Sequence, residues 1–496
     1  MRSSAAIAVL ACVLCAPIAR AQRGPSISAP ALSGLDSLVN AEFAKDSLGS
    51  ITAGVIAGSQ LVWTHSYGFA DMKTHRLANR GTVYRIGSIT KPFTAVMLMQ
   101  LIDAGKIQLS DPVERYVPEI KQIGSKPPGA PPFTFLQLAT MTAGLAAEPR
   151  AEGPFWTGSV AHWETTLISA LPHTDYRSFP GTEYSYSNIG YAILGAALSH
   201  AAGVPYTEWE RTRVLEPLGM QRTRFEIDPT IASDVATGYT VNDDGSLDDS
   251  TAAREGRDGR GFKVPNGAIF TTVDDLARFV AFELGHGPAK VLPPERLDSA
   301  FHGFVATSAD LNRGYGLGFM AMRRDTLTWV GHNGSVAGYV AYMYFDRARQ
   351  IGVVLFRNVV GGKENPGRLA TDILSRLVAA SNAAATARFA KRFKDQTPDV
   401  GSDQALRRLI GELRLGKPNY ALMSYELARD IREELPQDQA LLASLGTLES
   451  LTFKGVGPGE ADIYTAKFEH GAREYRIWLA EDGRIAYAND RPTSSR

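Results

Sequence analysis

The side chains best suited to covalent chemistry in this 496-residue chain are Ser88 and Lys91, in the string Ser88-Ile89-Thr90-Lys91. A spacing of three on a helix puts both on one face, within hydrogen-bond reach. A serine hydroxyl is a weak nucleophile and needs a neighbour to take its proton; a desolvated lysine with a lowered pKa can do that. At a helix start the serine's own backbone N–H also points where an oxyanion would develop, and the helix dipole favours negative charge there. The pair therefore suits acyl transfer through a serine ester. Alone it is a weak signal, since a chain of this composition contains about one Ser-x-x-Lys by chance.

Two companions downstream give it specificity. Tyr186-Ser187-Asn188 precedes the helical IGYAILGAAL, and His332-Asn333-Gly334-Ser335 follows the strand-like TLTWV. In this order the strings resemble the serine β-lactamase/penicillin-binding superfamily. The likeness is greatest to its class C-like branch, with D-alanyl-D-alanine carboxypeptidases, D-aminopeptidases and family VIII esterases. LATMTAGL (138–145), FPGTEYSYSN (179–188), EPLGM (216–220), VPNGAIFTTVDDLARF (264–279) and YGLGF (315–319) add to the resemblance, which spans roughly residues 35 to 380.

The resemblance implies an α/β (α+β) β-lactamase/transpeptidase-like fold: an antiparallel sheet flanked by helices, with an inserted all-helical subdomain. It also implies roles. Ser88 would be acylated, and Lys91 and Tyr186 would share its proton and later activate water, either being the base. Asn188 would bind the substrate amide and help hold Lys91. His332 would line the sheet-edge side of the pocket, Gly334 would allow close backbone approach, and the amides of Ser88 and Ser335 would form the oxyanion hole. The departure is His332, which stands where β-lactamases usually carry lysine. A histidine with an ordinary pKa near 6.5 is mostly neutral at pH 7 and offers a substrate carboxylate less than an ammonium does. An esterase or D-amino-acid peptidase is thus placed ahead of a β-lactamase. The rival of another class is a non-hydrolytic penicillin-binding or cell-wall-fragment sensing protein. Tyr487-Ala488-Asn489 repeats the Tyr-x-Asn pattern near the C-terminus, after an Asp482-Gly483 turn, and reads as strand and turn.

The elements that must hold these groups follow from periodicity. ITAGVIAG and QLVWTHSYGFA read as a hairpin turning near Gly58-Ser59. A helix opens at Ser88, tolerates Pro92 in its first turn and stops at Gly105. FTFLQLATM is helical, residues 186–220 form a long helical region, and 240–262 read as a polar surface loop. Thr272 opens a helix through DDLARFVAFEL. Strand patterns return at 315–322, 326–330, 339–345 and 350–356, and a helix closes the unit near Ala380. Strands at both ends around a helical middle predict one sheet assembled from both ends of the unit. The expected division is a signal peptide at 1–21, a hydrolase domain at 22–380, a linker at 381–403 and a small α+β domain at 404–496. That last domain carries no chemical motif; its helices are followed by four β-rich runs.

Composition narrows the function classes. The chain has 44% hydrophobic residues, with 52 Lys+Arg against 52 Asp+Glu, and no basic block, so it lacks the electrostatic footprint of a nucleic-acid binder. No His-Glu-x-x-His, Gly-x-Ser-x-Gly or phosphate-binding Gly-rich loop occurs, and no metal or cofactor is implied. Arg2, the apolar run 5–18 and Ala19-Arg20-Ala21 read as a cleavable export signal, too short to serve as a membrane span. Its removal would take away both cysteines, Cys12 and Cys15, and leave a periplasmic or secreted enzyme acting on a small or peptide-like substrate.

Overall fold

The computed structural model describes residues 27–493, except 151–152, 295, 298–304, 308–311, 325–326 and 458. The expected export signal lies outside the described residues. Among the described residues the main sheet has nine strands, every neighbouring pair antiparallel. Its order is Arg76–Leu77, Gln60–Asp71, Ser50–Ala57, Ile351–Arg357, Tyr339–Asp346, Leu327–Val336, Met320–Arg324, Arg313–Tyr315 and Val305–Ala306. The N-terminal hairpin thus pairs directly with the strand of this sheet that comes last in the chain, as the two-ended pattern predicted. Two interior strands, Ser50–Ala57 and Ile351–Arg357, are buried along their whole length. Covered on both faces, they read as continuous apolar runs rather than alternating ones.

One face of the sheet packs on helices Leu35–Phe43 and Pro366–Asp395, through Leu35, Val39, Val353, Ile373 and Leu377. The other face meets the helical middle of the chain. There Thr90–Asp103 and Asn188–Ala202 bury residues all round their circumference, as expected of helices at the centre of a large core.

Four segments differ from expectation. The long helical region breaks at Gly203, whose φ of 69° ends the helix in a left-handed cap. The expected strand 315–322 is split by a turn in which Gly318, at φ 79°, packs against the Lys91 carbonyl; a Cβ there would sit 3.0 Å from that oxygen. The expected surface loop 240–262 contains two short strands and the helix Ser250–Asp258. That helix buries little beyond Ala252 and is anchored by ion pairs of Glu255, a tie hydrophobic periodicity does not register. The expected linker 381–403 is helical as far as Asp395. Its Ala/Lys/Arg composition suits a helix as well as a tether, and Arg392 bonds buried Asp462 at 2.6 Å.

Beyond it, helices Ser402–Arg414 and Tyr425–Leu445 cover a four-stranded antiparallel sheet in sequential order, Leu448–Val456 to Ile485–Pro492. This unit has its own core, including Leu406, Leu409, Tyr464 and Ile477.

Candidate active site

Ser88 sits in a short turn, Gly87–Ile89, that runs into the buried helix Thr90–Asp103. The turn needs Gly87, whose φ is +50°, and it rests on the strand Leu327–Val336. A Cβ on Gly334 would lie 1.9 Å from the Ile86 carbonyl oxygen and 3.0 Å from the Ser88 amide nitrogen. One on Gly87 would lie 3.1 Å from the Ser335 nitrogen. Glycine at both positions lets two backbones touch, and the amides of Ser88 and Ser335 come to the same junction.

One helical turn on, Lys91 is fully buried, with Nζ 3.1 Å from Ser88 Oγ. On the other side of Oγ, the Tyr186 hydroxyl donates at 2.9 Å. Tyr186 arrives on the loop that opens helix Asn188–Ala202, where Ser187 caps the helix by accepting from the Gly190 amide at 3.0 Å. Asn188, the first helical residue, presents Oδ1 to Lys91 Nζ at 2.7 Å. Two segments distant in sequence, 88–91 and 186–188, therefore converge around one hydroxyl.

The profile of the family described as Beta-lactamase matches residues 35–378. The chain belongs to the beta-lactamase family. Beta-lactamase-like protein 4 of Dictyostelium discoideum is 28% identical over 345 residues, covering 65% of this chain and 59% of its own. The chain spans 59–66% of the length of the first curated relatives it matches. Among solved structures, the octameric penicillin-binding protein homologue from Pyrococcus abyssi superposes with a TM-score of 0.59 at 21% identity. That likeness covers 94% of this chain and 96% of the homologue, and so takes in the C-terminal unit. D-alanine carboxypeptidase AmpC from Burkholderia cenocepacia gives 0.56 at 21%, over 70% of this chain and 99% of its own. These likenesses establish a β-lactamase/transpeptidase-like fold.

In this member of the beta-lactamase family the lysine has an unusual setting. Burial holds the Lys91 ammonium well below its ordinary pKa, the nearby Arg260 and Lys263 push the same way, and Glu148 opposes them. Burial likewise raises the Tyr186 phenol above its ordinary value, disfavouring a phenolate. The hydrogen bonds can accommodate a neutral amine as well as an ammonium. Two acceptors, Asn188 Oδ1 and the Asn266 carbonyl at 3.2 Å, can take the two N–H bonds of the neutral form. The remaining lone pair then falls on the Ser88 hydroxyl.

Residues that sequence reasoning did not single out complete the site. Asn188 donates Nδ2 to Glu148 at 2.8 Å, which fixes the orientation of its amide, and Lys263 pairs with the same carboxylate at 2.7 Å. Asn266 also ties its side chain to the Asn188 carbonyl at 2.6 Å. Asn266 and Tyr315 lie inside strings already noted for their resemblance, so a signal existed for them. Glu148 sits in an irregular loop with none. Asn188 holds Lys91 as expected, and with one Nδ2 hydrogen given to Glu148 it keeps its second N–H for a substrate amide.

His332 departs from its expected place on the pocket wall. Its side chain is fully buried behind Tyr186 and Tyr315, with ring centroids 6.3 and 5.8 Å away. The Asn333 carbonyl, 2.5 Å from Nδ1, can only accept, so that nitrogen carries the proton and Nε2 accepts from the Tyr315 hydroxyl at 3.1 Å. Burial, with Lys91 nearby, pushes its pKa down to about 3. The exposed member of its motif is Ser335, while Ser88 and Tyr186 are half-buried.

Proposed function

We propose that the protein is an exported serine hydrolase that forms an acyl-enzyme on Ser88 and hydrolyses an ester or amide of a small or peptide-like substrate. The observation that carries this reading is the Ser88 hydroxyl held between Lys91 Nζ at 3.1 Å and the Tyr186 hydroxyl at 2.9 Å. Lys91, neutral, takes the serine proton as Oγ adds to the substrate carbonyl. The Tyr186 hydrogen bond orients Oγ so that its proton faces the amine. The amides of Ser88 and Ser335 receive the oxyanion. When the adduct collapses, the proton passes from Lys91 to the leaving alkoxide or amine. Water then adds to the acyl group, giving one proton to Lys91, and collapse returns a proton to Ser88 Oγ and releases the acid.

An esterase or D-amino-acid peptidase is favoured over a β-lactamase, because His332 is neutral and sealed from the pocket. It supplies no cation for a substrate carboxylate. The likeness to a D-alanine carboxypeptidase accords with the peptidase arm. Export rests on the N-terminal segment, and N-terminal sequencing of the secreted protein should begin at Gln22.

The test is fluorophosphonate and labelled-penicillin adduct formation beside turnover of p-nitrophenyl esters, D-amino-acid amides, D-Ala-D-Ala peptides and a cephalosporin, with Ser88→Ala as control. Labelling of Ser88 with turnover of an ester or D-amino-acid substrate is expected. Labelling without any turnover would favour a binding protein, and turnover surviving in Ser88→Ala would overturn the mechanism.

A further inference from the structure

Beside the short strand Tyr84–Arg85, which leads into the Ser88 turn, lies a cavity of about 100 Å³ that the mechanism does not use. Its lining includes Arg85, Glu255 and Arg260, with Arg257 and Glu226 exposed at the rim. The Arg85 side chain is only 2% exposed and that of Arg260 only 16%, yet the two share a single carboxylate. Arg85 Nη2 and Arg260 Nε each lie 3.0 Å from the same oxygen of Glu255. Arg257 is held by Asp258 instead. One buried positive charge is therefore left over, and Arg85 Nε and Nη1 have no hydrogen-bond partner among the described residues. The guanidinium stands over the Phe270 ring at 5.3 Å, which offers partial compensation but no acceptor.

A buried cation without a full counter-charge is strongly unfavourable. Paired guanidinium groups are also the side chains that best fit a planar or tetrahedral oxyanion, through two parallel N–H donors. We infer that this cavity is an anion site, in which Arg85 and Arg260 bind a compact oxyanion, a carboxylate or a phosphate, that enters past Arg257. The site shares a wall with the reactive centre. Arg260 donates to the Gly267 carbonyl at 3.0 Å, and the carbonyl of the preceding residue, Asn266, accepts from Lys91. The inference stands whether or not Ser88 is acylated.

The experiment is calorimetric titration of the full chain with inorganic phosphate and, separately, with acetate, in low-chloride buffer at constant ionic strength. One-to-one binding of at least one anion is expected, and the stronger of the two identifies the chemistry. Arg85→Met should abolish it, while leaving Glu255 paired with Arg260 and the protein no less stable to heat in anion-free buffer. Glu255→Gln removes the competing carboxylate and should tighten binding about tenfold or more. This variant keeps the test decisive if Arg85→Met does not fold. Absence of binding by both anions, or binding unchanged in Glu255→Gln, would overturn the site.

Discussion

The same tripeptide pattern, Tyr-x-Asn, occurs twice in this molecule and has opposite fates. Tyr186 and Asn188 flank a helix start; their side chains diverge, one to Ser88 Oγ and the other to Lys91 Nζ. Tyr487 and Asn489 lie on the edge strand Ile485–Pro492, where a spacing of two puts both on one face. There Asn489 Nδ2 simply bonds the Tyr487 hydroxyl at 2.5 Å, and the tyrosine is 45% exposed. The residue types are shared, so chemistry is conferred by the backbone that aims them and by burial that shifts their pKa values. A half-buried phenol beside a desolvated amine orients a nucleophile, while a solvated phenol at a sheet edge does nothing of the kind.

The sharpest way to break this contrast is to remove the hydroxyl that Tyr186 reaches. Ser88→Ala should cut ester turnover by about 10⁴-fold or more, with adduct formation lost by mass spectrometry. Next, Tyr186→Phe should lower kcat by about 10²- to 10⁴-fold, whereas Tyr487→Phe should leave steady-state kinetics unchanged. Equal losses in the two phenylalanine variants would mean that the contrast is wrong.

Glu148→Gln sharpens the comparison by loosening the Asn188 amide, and kcat/KM should fall about tenfold. Glu148 raises the Lys91 pKa. Its neutralisation should therefore also move the acid limb of the kcat/KM profile to lower pH, since more neutral amine survives there. A purely structural role would not move that limb.

The smallest effect on activity is expected at His332, where stability is the measurement. Its folded pKa of about 3 lies below an unfolded value near 6.5, so between the two the unfolded chain binds more protons. Stability should fall as pH drops through that window, by at most about 1.4 kcal/mol per pH unit from this group, and the contribution is absent above it. His332→Gln should flatten the slope in urea unfolding between pH 6.5 and 4.5.

Much of the fold is legible in the sequence where local chemistry decides. The hairpin around Gly58, the cap at Thr272 and the four β-rich runs near the C-terminus all form where turn residues and alternation place them. The helix Ser250–Asp258 escapes such reading because an ion pair of Glu255 with Arg85, from a distant segment, helps anchor it. The helical stretch to Asp395 escapes it because alanine-rich composition serves both a tether and a helix.

By itself the sequence determined the candidate nucleophile, its partner three residues on, the ordered Tyr-x-Asn and His-x-Gly motifs, and with them the family. Those features depend on residue identity and near-neighbour spacing, which a string carries in full. Tertiary structure alone decided that Glu148 orients Asn188, that Asn266 takes one of the lysine's N–H bonds, and that His332 is sealed and neutral. It also left Arg85 buried beside half a counter-charge. Desolvation and hydrogen bonding depend on which groups folding brings within a few ångströms, and those groups come from segments far apart along the chain.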